Sequence, residues 1–354
     1  MEEQQTSTDN ARTATAAHRF SVAPMMDYTD RHFRVMMRQI TRHSLLYTEM
    51  VVAQALHFTD PERRERLLGF DPIEHPIALQ LGGDDPLLLA EATRMAAARG
   101  YDEVNLNVGC PSEKVRQGRF GACLMADPDR VARCVAAMVD ASPLPVTVKH
   151  RIGIDDRDSY EELLNFVDVV AAAGGRRFSV HARKAWLDGL DPKQNRTIPP
   201  LRYDIVHRLK QDRPTLTIEI NGGLTHLDDC QKQLQEVDGV MVGRAAYEHP
   251  LRWRTVDRDL FADASSLTVS TSTSATETAT ATASTVLLGL VPYAERWCAG
   301  GGRLWSIARH LVHVVEGVSG ARHWRRDLSQ AAGERTAGPE VLVQAAQQLE
   351  ARGL

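Results

Sequence analysis

A thiol follows an alternating apolar strand in the run Val104-Asn-Leu-Asn-Val-Gly-Cys-Pro-Ser112. Gly109 permits a tight turn, and Pro111, with a fixed φ and no N–H, ends the strand. Cys110 therefore sits at a loop edge where a ligand can reach it. Other reactive residue types stand at the ends of neighbouring strand-like runs: Pro24, Met25, Met26 and Asp27, then Glu49, Gln80, Asn107, Lys149 and His181. Asn221, Gly222, Gly223, Gly243 and Arg244 close the series. The glycines let backbone N–H groups approach an anion and Arg244 adds charge, which suits a phosphorylated ligand. Lys149 and His181 could place positive charge against the ring system of a reduced flavin. A Schiff-base role for Lys149 is the alternative, and it leaves Cys110, Gln80 and the glycine pairs without work.

These residues need a scaffold that brings strand ends to one rim. Eight strand candidates recur along the chain: 20–24, 45–50, 76–81, 103–107, 145–150, 177–182, 215–221 and 238–243. Between them, stretches such as 87–99, 128–141, 160–173 and 227–237 carry apolar residues at helical spacing and end near Gly or Pro. Strand-helix alternation eight times over predicts a (β/α)8 TIM barrel of the α/β class, whose active sites lie at the carboxyl ends of the strands. A doubly wound open sheet fits less well, because no GxGxxG turn follows the first strand.

From Ala264 to Thr285 all residues but Leu267, Val269 and Glu277 are Ala, Ser or Thr. Such a stretch buries too little apolar surface to order itself. The expected organisation is a disordered tail over 1–17, a barrel over 18–260, a low-complexity insertion or linker over 261–285 and a small C-terminal helical domain over 286–354. In that last part Leu304, Ile307, Ala308, Leu311, Val312 and Val315 form one helical face, with Arg303, Arg309, His310 and His313 on the other.

The 354 residues are 43% hydrophobic with net charge −4, which supplies a core and excludes a uniformly basic nucleic-acid coat. Local balance differs. Residues 183–213 hold eight Lys or Arg against four Asp, and 296–326 hold six Arg against one Glu. Five cysteines without a CxxC pair predict reduced thiols and a cytoplasmic location. No signal peptide or membrane span is expected, and no metal site.

The run from Val104 through Cys110, with Val115 and Gly121-Ala122 after it, resembles the signature of the tRNA-dihydrouridine synthase family. Ala23-Pro-Met-Met-Asp-Tyr-Thr-Asp30, Ala78-Leu-Gln-Leu-Gly-Gly83, Val146-Thr-Val-Lys149, Asn221-Gly-Gly223 and Val242-Gly-Arg244 resemble its other blocks, in order. Residues 181–187, 195–201 and 320–326 are similar to its A subfamily, and the resemblance runs from about His18 to the C-terminus.

The resemblance implies an FMN-binding barrel with a C-terminal helical domain that reduces the C5–C6 double bond of D-loop uridines, at positions 20 and 20a, in tRNA. NADPH would be a transient reductant, and no obligate protein partner is implied. Pro24, Met25, Met26, Gln80, Lys149, His181, Asn221, Gly222, Gly223, Gly243 and Arg244 would hold FMN. Asn107, Lys193, Arg196, Arg322 and Arg325 would contact the tRNA. Hydride would pass from flavin N5 to C6 while Cys110 protonates C5. A thiol of ordinary pKa, about 8.5, is roughly 97% protonated at pH 7 and suits an acid, whereas a nucleophile needs the thiolate. Two rivals remain: a flavin barrel acting on a small enone, and an RNA-binding protein on a degenerate barrel.

Overall fold

The computed structural model describes residues 18–265 and 281–352. The expected tail over 1–17 and the centre of the expected linker lie outside the described residues. Helices Val256–Ser265 and Ala283–Ala299 reach into both ends of the 261–285 stretch.

Eight parallel strands close a barrel: β1 (Phe20–Val22), β2 (Leu45–Tyr47), β4 (Ile77–Gly82), β5 (Glu103–Val108), β6 (Val146–Arg151), β7 (Arg177–His181), β8 (Thr217–Asn221) and β9 (Gly239–Val242). β9 pairs with β1, and β2 pairs with both β1 and β4, which completes the ring. The run 45–50 contributes β2 and then a separate two-residue strand, β3 (Val51–Val52), which pairs with β4. Between them Thr48 still donates its N–H to Ala78 O at 3.0 Å, while the Glu49 side chain turns to accept the Asp27 N–H at 2.5 Å.

Flanking helices start where the side chains dictate. Asp85 and Asp127 cap helices Pro86–Arg99 and Pro128–Ala141, each with proline in its first turn, and Ser159 with Glu162 forms a capping box for Tyr160–Ala172.

Strand alternation divides the barrel interior. From β5 to β8 the inward positions are polar: Glu103, Asn105 and Asn107, then Thr147, Lys149 and Arg151, then Arg177, Ser179 and His181, then Glu219 and Asn221. Their outward neighbours Val104, Leu106, Val148, Phe178, Val180, Ile218 and Ile220 are fully buried under the helices. Ala23, Leu45, Tyr47, Ala78 and Met241 line the other half of the interior as a small apolar cluster.

The amino-terminal end of the barrel is closed by ions. Arg177 donates to Glu103 at 2.6 Å and to Glu219 at 3.1 Å. Tyr47 and Thr147 donate to Glu103 at 2.8 and 2.7 Å, and Ser21 and Ser179 donate to Glu219. Burial opposes the Glu103 charge, yet Arg177 and His18 hold its carboxyl down at about 2.

Helices Ala283–Ala299, Trp305–Leu311, Ala321–Gly333 and Glu340–Glu350 follow the barrel and pack around Leu287, Leu290, Trp324, Leu328 and Leu342. The face that carries Arg309, His310 and His313 docks on the barrel, while Arg303 stays exposed. His310 is buried, with Nε2 3.0 Å from Asp30 Oδ1, and Arg309 donates to Asp30 Oδ2 at 2.7 Å. His313 lies against the Tyr247 ring. Helical spacing marks which residues share a face but not what covers it, and the barrel helix Arg31–Arg38 with its Asp30 cap covers this one. No helix of the described residues is long and apolar enough to cross a membrane.

Candidate active site

The carboxyl ends of the strands surround a cavity of about 650 Å³. All eleven residues expected to hold the cofactor line it, from Pro24 to Arg244, together with Asn107, Cys110 and Arg196. Glu49 is not among the lining residues.

Cys110 is a free, half-buried thiol with Sγ 3.5 Å from Ser112 Oγ. Its loop is held from both sides. Asn107 Oδ1 accepts the N–H groups of Gly109 at 3.1 Å and Cys110 at 3.0 Å, and Cys110 O accepts from Ala122 at 2.9 Å. Arg151, buried two positions along β6 from Lys149, donates to Gly109 O at 3.0 Å. It also donates to Lys184 O at 3.1 Å and Asn195 O at 2.9 Å, tying the cysteine loop to the loop after β7. The sequence reading missed Arg151, although its inward register with Thr147 and Lys149 was available as a signal.

Lys149 Nζ donates to Asn221 Oδ1 at 3.1 Å and has no carboxylate partner among the described residues. Burial, then repulsion from Arg151, pushes its ammonium down to about 8, so it is charged at neutral pH. His181 behaves otherwise. Burial beside Arg151, Lys149, Arg183 and Arg196 pushes its imidazole well below the usual range, so it is neutral. The positive charge expected from both residues therefore comes from Lys149 and the arginines.

The turn after β8 is built for close approach. Gly222 has φ +114° and Gly223 φ +72°; a Cβ on the first would lie 2.6 Å from His181 Cδ2, and on the second 2.5 Å from Leu201 Cδ1. Tyr203, also missed in the sequence, fixes this turn by donating to Gly222 O at 2.6 Å. Exposed Arg244 has no hydrogen-bond or ion-pair partner among the described residues, and half-buried Arg196 and Arg183 each leave Nε without one. Open cations beside a glycine turn fit the phosphate of a flavin nucleotide, and the neutral His181, Gln80 and Lys149 fit its ring.

Of the expected tRNA contacts, Asn107 and Arg196 reach the cavity, whereas Lys193 lies exposed at the start of the short helix Gln194–Arg196. Arg322 is exposed and Arg325 half-buried on helix Ala321–Gly333, neither among the cavity-lining residues. Asn107 is also mostly committed to the protein, since its Nδ2 donates to Gln80 Oε1 at 2.8 Å. Among the described residues no group of His, Cys, Asp and Glu could hold a metal ion.

Comparison with known proteins agrees with this geometry. The family described as dihydrouridine synthase matches residues 21–350. The tRNA-dihydrouridine(20/20a) synthase of Synechocystis sp. is 56% identical over 327 residues, covering 92% of this chain and 93% of that protein. The protein of the same name from Pseudomonas aeruginosa is 51% identical, covering 89% of this chain and 90% of its own length. That from Escherichia coli (strain K12) is 49% identical, with 92% and 90% covered. Among solved structures, a complex of 2-naphthoyl-CoA reductase with 2-naphthoyl-CoA superposes with a TM-score of 0.51 at 9% identity, over 68% of this chain and 50% of that one, a likeness of fold. The chain belongs to the dihydrouridine synthase family, flavin-dependent oxidoreductases that reduce uridine to dihydrouridine.

Proposed function

We propose that this protein reduces uridines at positions 20 and 20a of the tRNA D-loop to 5,6-dihydrouridine, with FMN as its flavin and NADPH as the reductant, in the cytoplasm. The observation that carries the reading is a free thiol lining a 650 Å³ cavity together with the cationic side chains of Lys149, Arg151, Arg196 and Arg244. The names of the Synechocystis and Escherichia coli relatives supply the positions.

When bound, the reduced flavin would supply the hydride for uracil C6. The chain supplies the rest. Arg244 and the Gly222-Gly223 turn take the phosphate, and Lys149 offsets negative charge on the ring. Gln80, His181 and Asn221 would give the ring neutral polar contacts, and Pro24, Met25 and Met26 apolar ones. Cys110 gives its Sγ proton to C5 and regains one from solvent. Asn107 and Arg151 hold the loop so that the thiol faces the same space as Lys149. A D-loop uracil must leave its stack to reach this cavity, with Arg196 at the mouth and Lys193, Arg322 and Arg325 binding the surrounding backbone.

Cys110→Ala tests the assignment. The variant binds FMN and accepts electrons from NADPH as the wild type does, but forms dihydrouridine in unmodified tRNA about 10²- to 10⁴-fold more slowly. Wild-type product formation contradicts the acid role.

A further inference from the structure

A single line of hydrogen bonds runs through the barrel from the cysteine loop to its ionic floor. The N–H groups of Gly109 and Cys110 donate to Asn107 Oδ1, and Asn107 Nδ2 donates to Gln80 Oε1 at 2.8 Å. Gln80 Nε2 donates to Asn105 Oδ1 at 2.8 Å and Asn105 Nδ2 to Thr147 Oγ1 at 2.9 Å. Thr147 Oγ1 then donates to Glu103 Oε1 at 2.7 Å. All five side chains are buried.

Both ends impose the same direction. A backbone N–H can only donate, so Asn107 must present its oxygen to the loop, and the order of oxygen and nitrogen is thereby fixed through Gln80 and Asn105 to Thr147. A carboxylate can only accept, and Arg177 keeps Glu103 ionised, so the Thr147 hydroxyl must point its proton at Glu103. Bonds aligned head to tail polarise one another in a site shielded from water. If the chain were cut at Thr147, Asn105 Nδ2 would lose its acceptor, and the Asn105, Gln80 and Asn107 amides would lose the fixed end that holds them in line. Asn107 Oδ1 would then be held less firmly against the two N–H groups, and the cysteine loop would loosen.

We infer that Thr147 is a positioning residue for Cys110, acting through Asn105, Gln80 and Asn107, with the Glu103 carboxylate as the anchor that sets the direction. The activity readout below rests on Cys110 being the proton donor; the labelling readout does not.

The test compares Thr147→Val, which keeps the shape and loses the hydroxyl, with Thr147→Ser, which keeps the hydroxyl and loses a methyl. Asn105→Leu breaks the chain one link nearer the loop, and carries the test should Thr147→Val not fold. In the purified flavoprotein, iodoacetamide labelling of Cys110, read on its peptide by mass spectrometry, becomes severalfold faster in Thr147→Val and Asn105→Leu and stays near wild type in Thr147→Ser. Reoxidation of the reduced flavin by unmodified tRNA slows about 10- to 100-fold in the two chain-breaking variants, while reduction by NADPH stays within about twofold.

Wild-type labelling in both chain-breaking variants overturns the proposal, and so does a Thr147→Ser defect equal to that of Thr147→Val, which would mark a packing role. An equal loss in both half-reactions overturns it as well. Faster labelling with unchanged tRNA turnover supports the positioning role and contradicts the acid role of Cys110.

Discussion

Lys149 is held in the cavity by a neutral partner, Asn221, and its charge is left for a ligand to compensate. An unfolded lysine keeps its proton to about pH 10.4, whereas folded Lys149 releases it near pH 8. Between those values the unfolded chain binds more protons, so the stability of the flavin-free protein rises with pH across this window. At pH 7 the buried charge costs about 3 kcal/mol. Lys149→Met is therefore expected to stabilise the flavin-free protein at pH 7 by about 1–3 kcal/mol in a denaturant titration, while weakening FMN binding at least tenfold, roughly 1.4 kcal/mol. A variant that is less stable, or that binds FMN as tightly, contradicts this account of the site. Lys149 and Cys110 were legible because a lysine in a β-branched run and a cysteine in a Gly-Cys-Pro turn are costly or exposed unless used. Tyr203 was not, because its work is on a backbone carbonyl of a turn distant in sequence, which residue type does not reveal, and for Arg151 only the register along β6 was visible. The neutrality of His181 depends on its burial, and then on three arginines and a lysine that only folding brings around it.

At the scale of elements, Asp30 does two jobs. It caps helix Arg31–Arg38 by accepting the Phe33 N–H at 2.9 Å, and it receives Arg309 and His310 from the C-terminal helices. Burial would raise its carboxyl, but His310, Phe33 N–H and Arg309 together hold it well below the usual carboxylate range. Because its folded pKa is depressed, the stability it contributes is complete above about pH 4 and is lost as pH falls further. Asp30→Ala should destabilise the protein by about 2–4 kcal/mol at pH 7, with the gap from wild type shrinking in acid. Equal unfolding midpoints at pH 7 contradict a stabilising role for Asp30 in these contacts. The eight barrel strands were readable as short β-rich runs recurring between helical segments, and the polar inward positions of β5 to β8 mark the half of the barrel that carries chemistry. The break at 48–50 was not, since Glu49 turns away to serve Asp27 across the rim. The docking of His310 escaped for the same reason: an amphipathic helix shows two faces, and Asp30 lies 280 positions earlier in the chain.

At the scale of the whole molecule, a chain of net charge −4 must bind an anionic polymer through local patches. Lys193 and Arg322 are exposed, with no side-chain hydrogen bond or ion pair among the described residues, on the loop after β7 and on a C-terminal helix respectively. Lys193→Ala and Arg322→Ala should each weaken tRNA binding and reduce the slope of log K against log salt by about 0.7 to 0.9. Wild-type slopes in both contradict phosphate contacts at these positions. The central claim is that the cavity reduces a uracil presented by a folded RNA, and it is tested most directly by reducing the flavoprotein with NADPH without oxygen, then adding unmodified tRNA while following the yellow flavin absorbance. The account predicts rapid recovery of colour with tRNA and none with free uridine. Recovery with free uridine at the same rate, or a reduced flavin that tRNA leaves colourless, contradicts it.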